Sequence, residues 1–333
     1  MTPTTLDDWT DLDSRHRPEL LGYCYRMLGS AVDADEAVQE TMLRAWRGRA
    51  GFTGAASPRV WLFRIATNVC LDQLRRRPRR EHPVDVTAAG DASSPLGVGE
   101  PARWVGPAPD RWLLAPGPDP AETVVRRESV RLAFVAALHT LSAPQRATLI
   151  LRDVLKFSAD ETAGLLGITV AAANGLLRRA RGRLAERPAP AAGLTDSQRA
   201  LLARFVEAYE RYDVPALTAL LHEDATLAMP PYGLWLAGRA EISRWFRRED
   251  SPCRASRLVP IEANGSPAFA IYHEEGGLQA FAVLVVDVAG DRVAALEAHL
   301  EPRLFGLFGL PAELAVAQSP CESEALTAAT TWS

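Results

Sequence analysis

The sequence predicts a multidomain protein, with two all-α helical domains followed by a C-terminal α+β domain. Three observations carry this: apolar residues recur at helical spacing over 18–80 and 122–187; a Pro-, Gly-, Ala- and Asp-rich stretch lies between them; and after RPAPAAG the pattern changes to helices followed by β-rich runs. At 333 residues, with 47% hydrophobic and 23% charged, the chain is long enough for two or three domains. It has no run of about 18 apolar residues, and its start, MTPTTLDDWTDLD, is acidic without the apolar core of a signal peptide, so a cytoplasmic protein with no membrane partner is expected. Cys24, Cys70, Cys253 and Cys321 are scattered without a C-x-x-C pair, which argues against a zinc site or a disulfide framework. No metal or cofactor is expected.

The net charge of -4 conceals an asymmetry. Residues 1–187 carry 26 Arg+Lys against 22 Asp+Glu, a balance of +4, and residues 188–333 carry 11 against 19, a balance of -8. The two parts are expected to meet different partners.

In RPELLGYCYRMLG, Leu20, Cys24, Met27 and Leu28 fall on one helix face. Asp33 and Glu36 have the spacing of a capping box for a second helix running through Ala37, Val38, Thr41 and Ala45 to Trp46. Ser57-Pro58 starts a third, ending near Pro78, because Ser caps well and Pro at the first position loses no hydrogen bond. Residues 81–121 read as a linker whose two tryptophans suggest docking on a neighbouring surface. Further on, Ser158 and Glu161 form a capping box, Gly167 a turn, and Thr169 caps a helix with Ala173, Leu177, Ala180 and Leu184 facing inward, while Pro144 shifts a helix start. That layout is a helix-turn-helix, and an ordinary helical hairpin with a solvated Arg face fits the same stretch. The C-terminal part begins with an amphipathic helix (Leu201, Leu202, Phe205, Val206, Tyr209, Tyr212) and a second at Ala216–Leu221. A third carries Ile242, Trp245 and Phe246, and hairpins follow at Asn264-Gly265, Gly276-Gly277 and Gly290-Asp291.

DADEAVQETMLRAWR followed by WLFRIATNVCLDQLRRRPRR resembles region 2 of extracytoplasmic-function (ECF) sigma factors, and LILRDVLKFSADETAGLLGITVAAANGLLRRARGRL resembles their region 4. The W-x-x-P-x-P-D element (Trp104 to Asp110), MPPYGLWLAG and FGLFGLP are similar to the subgroup with a C-terminal SnoaL-like domain of the NTF2-like cone fold. The domains expected are region 2 at 15–80, a linker at 81–121, region 4 at 122–187, the SnoaL-like domain at 194–315 and a disordered tail at 316–333. The resemblance implies a subunit that directs RNA polymerase to -35 and -10 promoter elements, with a fused regulatory domain and no chemistry of its own. The implied partners are promoter DNA and the polymerase core, through its β′ clamp helices and β flap.

By that resemblance Phe52 to Arg59 form a loop that pockets a flipped -10 base, and Asn68, Asp72, Arg75 and Arg76 line the single strand. Arginines attract phosphates by releasing counterions, and amide or aromatic groups hold unstacked bases. Arg79 and Arg80 are expected as general phosphate contacts, and Trp61 as core. Asp35, Glu36, Gln39, Glu40 and Arg44 form the expected polymerase face; helix-dipole complementarity accounts for Asp35 and Glu36 alone. In region 4, Ala171, Ala172, Gly175, Arg178 and Arg179 are the expected major-groove residues, with Thr169 and Arg181 near the backbone. Gly175 departs from the small polar residue usual in the family and offers no donor. For the cone, Tyr232, Trp235, Glu297 and His299 are candidate pocket residues for a small-molecule ligand, and His222 and Asp224 further acid/base candidates. The alternative readings are an isomerase or cyclase in the tail, and a plain helix-turn-helix repressor.

Overall fold

A computed structural model describes residues 9–76, 80–114, 130–184, 194–249 and 253–315. The chain divides into two compact units, one of Met1–Glu81 with Asp110–Pro190 and one of His82–Pro109 with Ala191–Ser333. The 81–121 stretch is thus shared: residues 82–109 group with the C-terminal unit and the single turn Asp110–Leu113 with the helical one.

The helical unit begins with α1 (Trp9–Leu28), α2 (Ala31–Gly48) and α3 (Pro58–Arg76). Leu20, Cys24, Met27 and Leu28 are all 3% exposed or less, as their spacing requires, and α3, which packs on α1, buries Leu62, Phe63, Ala66 and Cys70. Tyr23 meets Phe63 edge to face, and its hydroxyl bonds Thr67 at 2.8 Å, so the buried phenol keeps a partner. Gly29 ends α1 at φ +70°, and Ser30 caps α2 by accepting from the Asp33 N–H. The cap is therefore Ser30 and not Asp33, whose carboxylate, already in the first turn, pairs with Arg80 at 2.7 Å. Ser57 receives the Val60 N–H as α3 begins at Pro58; its expected end near Pro78 lies outside the described residues. Trp61 is half-buried, a correction to its expected core place: the buried stripe runs through Leu62 and Phe63, leaving Trp61 at the edge against Phe52.

After α4 (Leu132–Leu138), Ser142 and Gln145 form a capping box for α5 (Ala143–Leu149), with Pro144 in its first turn. The helix-turn-helix is α6 (Ala159–Leu166) and α7 (Val170–Leu184), joined through Gly167 at φ +64°. Ser158 and Glu161 exchange bonds of 3.1 and 2.8 Å, the capping box legible in their spacing. Leu138, Leu141, Leu149, Leu177 and Ala180 make a small core, with Leu184 packed against it. This half is tied to α1 by Arg146, 3% exposed, whose guanidinium donates to the carbonyls of Met27 and Leu138.

The C-terminal unit opens with α8 (Asp196–Glu210) and α9 (Val214–Leu220) and carries α10 (Arg239–Phe246). Its seven-stranded sheet has the order β2-β1-β6-β5-β4-β3, with β7 on β5. The strands are β1 (Leu221–Ala228), β2 (Trp235–Ala237), β3 (Ser256–Ala263), β4 (Ser266–Glu274), β5 (Leu278–Ala289), β6 (Arg292–His299) and β7 (Glu313–Leu314). A short helix, α11 (Arg303–Phe308), follows β6. β3 to β6 form an antiparallel meander and β1 runs parallel to β6. Asn264 and Gly265 both have positive φ, +56° and +67°, the backbone a two-residue hairpin demands.

Candidate functional site

Three surface sets on the helical unit and one buried cluster in the C-terminal unit hold the groups singled out above. On α2, Ala37, Val38, Thr41 and Ala45 are buried, which turns Asp35, Glu36, Gln39, Glu40 and Arg44 outward. Asp35 accepts from Arg17 at 3.0 Å and from Gln39 at 2.7 Å, and Arg44 pairs with Glu40 at 2.6 Å. Leu43, 49% exposed, and Trp46, 44% exposed, lie along the same helix, with the Arg49 guanidinium 3.6 Å over the Trp46 ring. Sequence reasoning passed over Leu43 and took Trp46 only as part of the helix; the signal was two large apolar residues lying off the core stripe. The two stand three residues apart and so adjoin on this face of α2.

On α3, Arg64, Asn68 and Arg75 are exposed and Asp72 is half-buried, at i, i+4, i+8 and i+11, opposite Phe63, Ala66, Thr67 and Cys70. Asp72 bridges Arg75 at 2.8 Å and Arg44 of α2 at 3.8 Å, so the acidic member of this stripe orients two cations. Arg64 was missed, although its spacing from Asn68 shows it. Arg76 is exposed, and Arg79 lies outside the described residues. Arg80 corrects its expected role: its side chain is 8% exposed in the ion pair with Asp33, so it closes the unit and offers phosphate nothing. Phe52 meets Trp61 at a tilt of 45° with ring centres 5.0 Å apart, and residues 53–57 that follow it are exposed. Arg59 is held by Glu19 and by the Leu155 carbonyl at 2.9 Å, with its guanidinium 4.0 Å from the Phe157 ring centre.

On α7, Thr169 accepts the Ala172 N–H at 3.2 Å, a cap and not a free contact. Ala171, Ala172, Arg178 and Arg179 are exposed and Gly175 is half-buried. Arg181 makes two bonds of 2.6 and 2.9 Å to Asp153, so it is engaged within the fold, not free for a backbone phosphate. Asn174, exposed on this helix, was missed.

The C-terminal residues are arranged otherwise than expected. A residual apolar cavity of about 40 Å³ is lined by Leu96, Trp245, Phe281, Leu284, Leu296 and Ala298, among others, with Tyr209 and Cys253 its polar members. That is room for about three waters, far below the ~300 Å³ of a drug-sized site. Tyr232, Trp235, Glu297 and His299 are not among its lining residues. Because strand side chains alternate, Leu296 and Ala298 facing the cavity puts Glu297 and His299 on the other side of β6. They meet His82 there: its Nε2 lies 3.0 Å from Glu297 Oε2, and His299 Nε2 lies 3.7 Å from the same oxygen. Burial pushes the Glu297 carboxyl up, but the charge on His82 and contacts with both imidazoles outweigh it and hold the group far below the usual carboxylate range. Burial acts most strongly on His82 and lowers it, but Glu297, Asp85 and Asp287 together leave it raised. Trp235 Nε1 donates to the Thr87 carbonyl at 3.0 Å and Trp104 Nε1 to the Pro231 carbonyl at 2.8 Å. The expected pocket residues thus seat the 82–109 segment. His222 and Asp224 are exposed and joined through the Asp224 N–H. Among the described residues no group of side chains could hold a metal ion, and no helix is long and apolar enough to cross a membrane.

Residues 12–80 match the family described as Sigma-70 region 2, residues 131–184 Sigma-70 region 4, and residues 202–299 a SnoaL-like domain. The chain is 44% identical over 311 residues to the ECF RNA polymerase sigma factor SigG of Mycobacterium tuberculosis, covering 90% of this chain and 83% of that one. It is 30% identical over 211 residues to SigJ of the same organism, covering 63% of this chain and 61% of that protein. The crystal structure of Mycobacterium tuberculosis SigJ shares the fold at a TM-score of 0.56 and 23% identity, over 91% of this chain and all of that one. These matches define a promoter-directing subunit made of two helical sigma modules and a SnoaL-like domain. The chain belongs to the ECF RNA polymerase sigma factors. Like its family, it works with the polymerase core and promoter DNA, as a transcription factor and not an enzyme.

Proposed function

We propose that the α2 face docks on the β′ clamp helices of RNA polymerase, that the α3 stripe and the 52–59 loop hold the melted -10 strand, and that α7 reads the -35 element while its module sits on the β flap. The observation that supports this best is the segregation of chemistry on one unit. α2 carries Asp35, Glu36, Gln39 and Glu40 in its first half and exposes Leu43 and Trp46 beyond them, beside Arg44 and Arg47, a mixed face suited to a protein, whereas the exposed polar groups of α3 and α7 are amides and arginines, suited to nucleic acid. These events take place in the cytoplasm, where polymerase and promoter are. The C-terminal unit is regulatory and acts through the 82–109 segment that it holds. Glu297 and His299 are turned away from the cavity, Glu297 against His82, and His222 and Asp224 are exposed and outside its lining, which favours this over an isomerase or cyclase. Run-off transcription with core polymerase tests the assignment: Arg75→Ala should slow open-complex formation and Arg178→Ala weaken -35 binding by about 1–3 kcal/mol. Unchanged transcription from both would refute it.

A further inference from the structure

The first half of α7 faces solvent through Ala171, Ala172, Asn174 and Arg178, with Ala173 and Leu177 buried behind. Positions 171, 174 and 178 follow i, i+3, i+7 and so form one stripe. In a helix-turn-helix, base edges are met by the first residues of the second helix.

Chemistry along this stripe is sparse. Ala171 and Ala172 offer only a methyl, which suits the thymine methyl, and Gly175 offers nothing. Thr169 is used as a cap and Arg181 by Asp153. Arg178 and Arg179 are cations that suit guanine or phosphate equally. Asn174 alone brings an amide, with a donor and an acceptor in one plane, the pattern that matches N6 and N7 of adenine. Among the described residues its side chain makes no hydrogen bond or ion pair. Five residues into the helix it caps neither end, and Asn is a weaker helix former than Ala by up to ~0.7 kcal/mol. Folding gives no reason for an uncommitted amide at this position.

We infer that Asn174 determines -35 specificity by binding one adenine edge with both arms of its amide. This rests on the reading that α7 enters the major groove there. The test uses full-length protein, core polymerase and a promoter library randomised across the -35 region, with bound templates sequenced. Wild type should enrich a -35 motif in which one adenine is preferred about 5- to 100-fold. Asn174→Ala should flatten that position to within about twofold and keep the others, an outcome not confused with misfolding because Ala favours the helix. Asn174→Arg should move the preference toward guanine, whose O6 and N7 an arginine matches. An unchanged motif in Asn174→Ala would overturn the assignment, as would uniform weakening on every template, the mark of a phosphate contact. Absence of any -35 motif in wild type would remove the major-groove reading as well, which separates the two failures.

Discussion

His82 and Glu297 form a buried ion pair, 3.0 Å between Nε2 and Oε2, that pins the start of the 82–109 segment to β6 (Arg292–His299). Asp85 and Asp287 also act on His82, and His299 Nε2 lies 3.7 Å from the same Glu297 oxygen. Since the His82 pKa is raised in the fold, its contribution is complete below its ordinary value of about 6.5 and is lost as pH rises through the raised one. The Glu297 pKa is depressed, so its contribution is present above the ordinary carboxylate range and is lost only as pH falls through the depressed value. The segment is therefore seated most firmly between about pH 4.5 and 6.5. Hydrogen exchange at Asp85 and Thr87, whose amides bond the carbonyls of His82 and Pro83, should show lower protection at pH 9 than at pH 6 after correction for intrinsic rates. In His82→Gln the difference should vanish; its persistence would assign the effect elsewhere.

Two arginines five residues apart should behave oppositely. Arg80→Ala strands the Asp33 carboxylate in the interior and should cost about 3–5 kcal/mol of unfolding free energy. Arg75, with a side chain 73% exposed, should cost less than about 1 kcal/mol while slowing promoter opening. Denaturant unfolding beside single-round transcription separates the two.

Trp104 is 3% exposed and donates to the Pro231 carbonyl. Trp104→Ala should destabilise the C-terminal unit by about 3–5 kcal/mol, open the 90–109 stretch to proteolysis, and change promoter activity several-fold. Equal transcription with an opened segment would show that the segment does not transmit regulation. Truncation after Pro188 is a poorer probe, because it removes the rest of the unit to which residues 82–109 belong.

A Cβ at Gly175 would meet only the end of the Arg179 side chain, at 3.5 Å, an ordinary contact. Gly175→Ala should therefore stabilise α7 by about 1 kcal/mol, seen as roughly fivefold slower amide exchange in its centre. Faster exchange would mean that the position is strained by a side chain.

Much of this was legible in the sequence because local chemistry decided it. The Leu20, Cys24, Met27 and Leu28 stripe, the Ser158–Glu161 capping box and the Asn264-Gly265 turn each follow from neighbours a few residues apart. What escaped depends on partners far along the chain. In a run of five arginines nothing marks Arg80 as the one that meets Asp33, 47 residues away. Glu297 and His299 drew attention as acid/base groups, yet their meaning lies in His82, more than 200 residues earlier, in a stretch with no period of its own. Leu43 was passed over because exposure, and not residue type, distinguishes it, and Asn174 because the sequence does not show that its amide is left without an internal partner.

If RNA polymerase holds this chain through α2 (Ala31–Gly48), binding of the purified full-length protein to core polymerase depends on that helix's exposed face. Wild type should form a stable complex, and Leu43→Asp with Trp46→Ala should weaken it about thirtyfold or more, as loss of a buried aromatic anchor does, without loss of helicity because both side chains are exposed. Failure of the wild type to bind core polymerase, or equal binding by the double variant, would contradict the account.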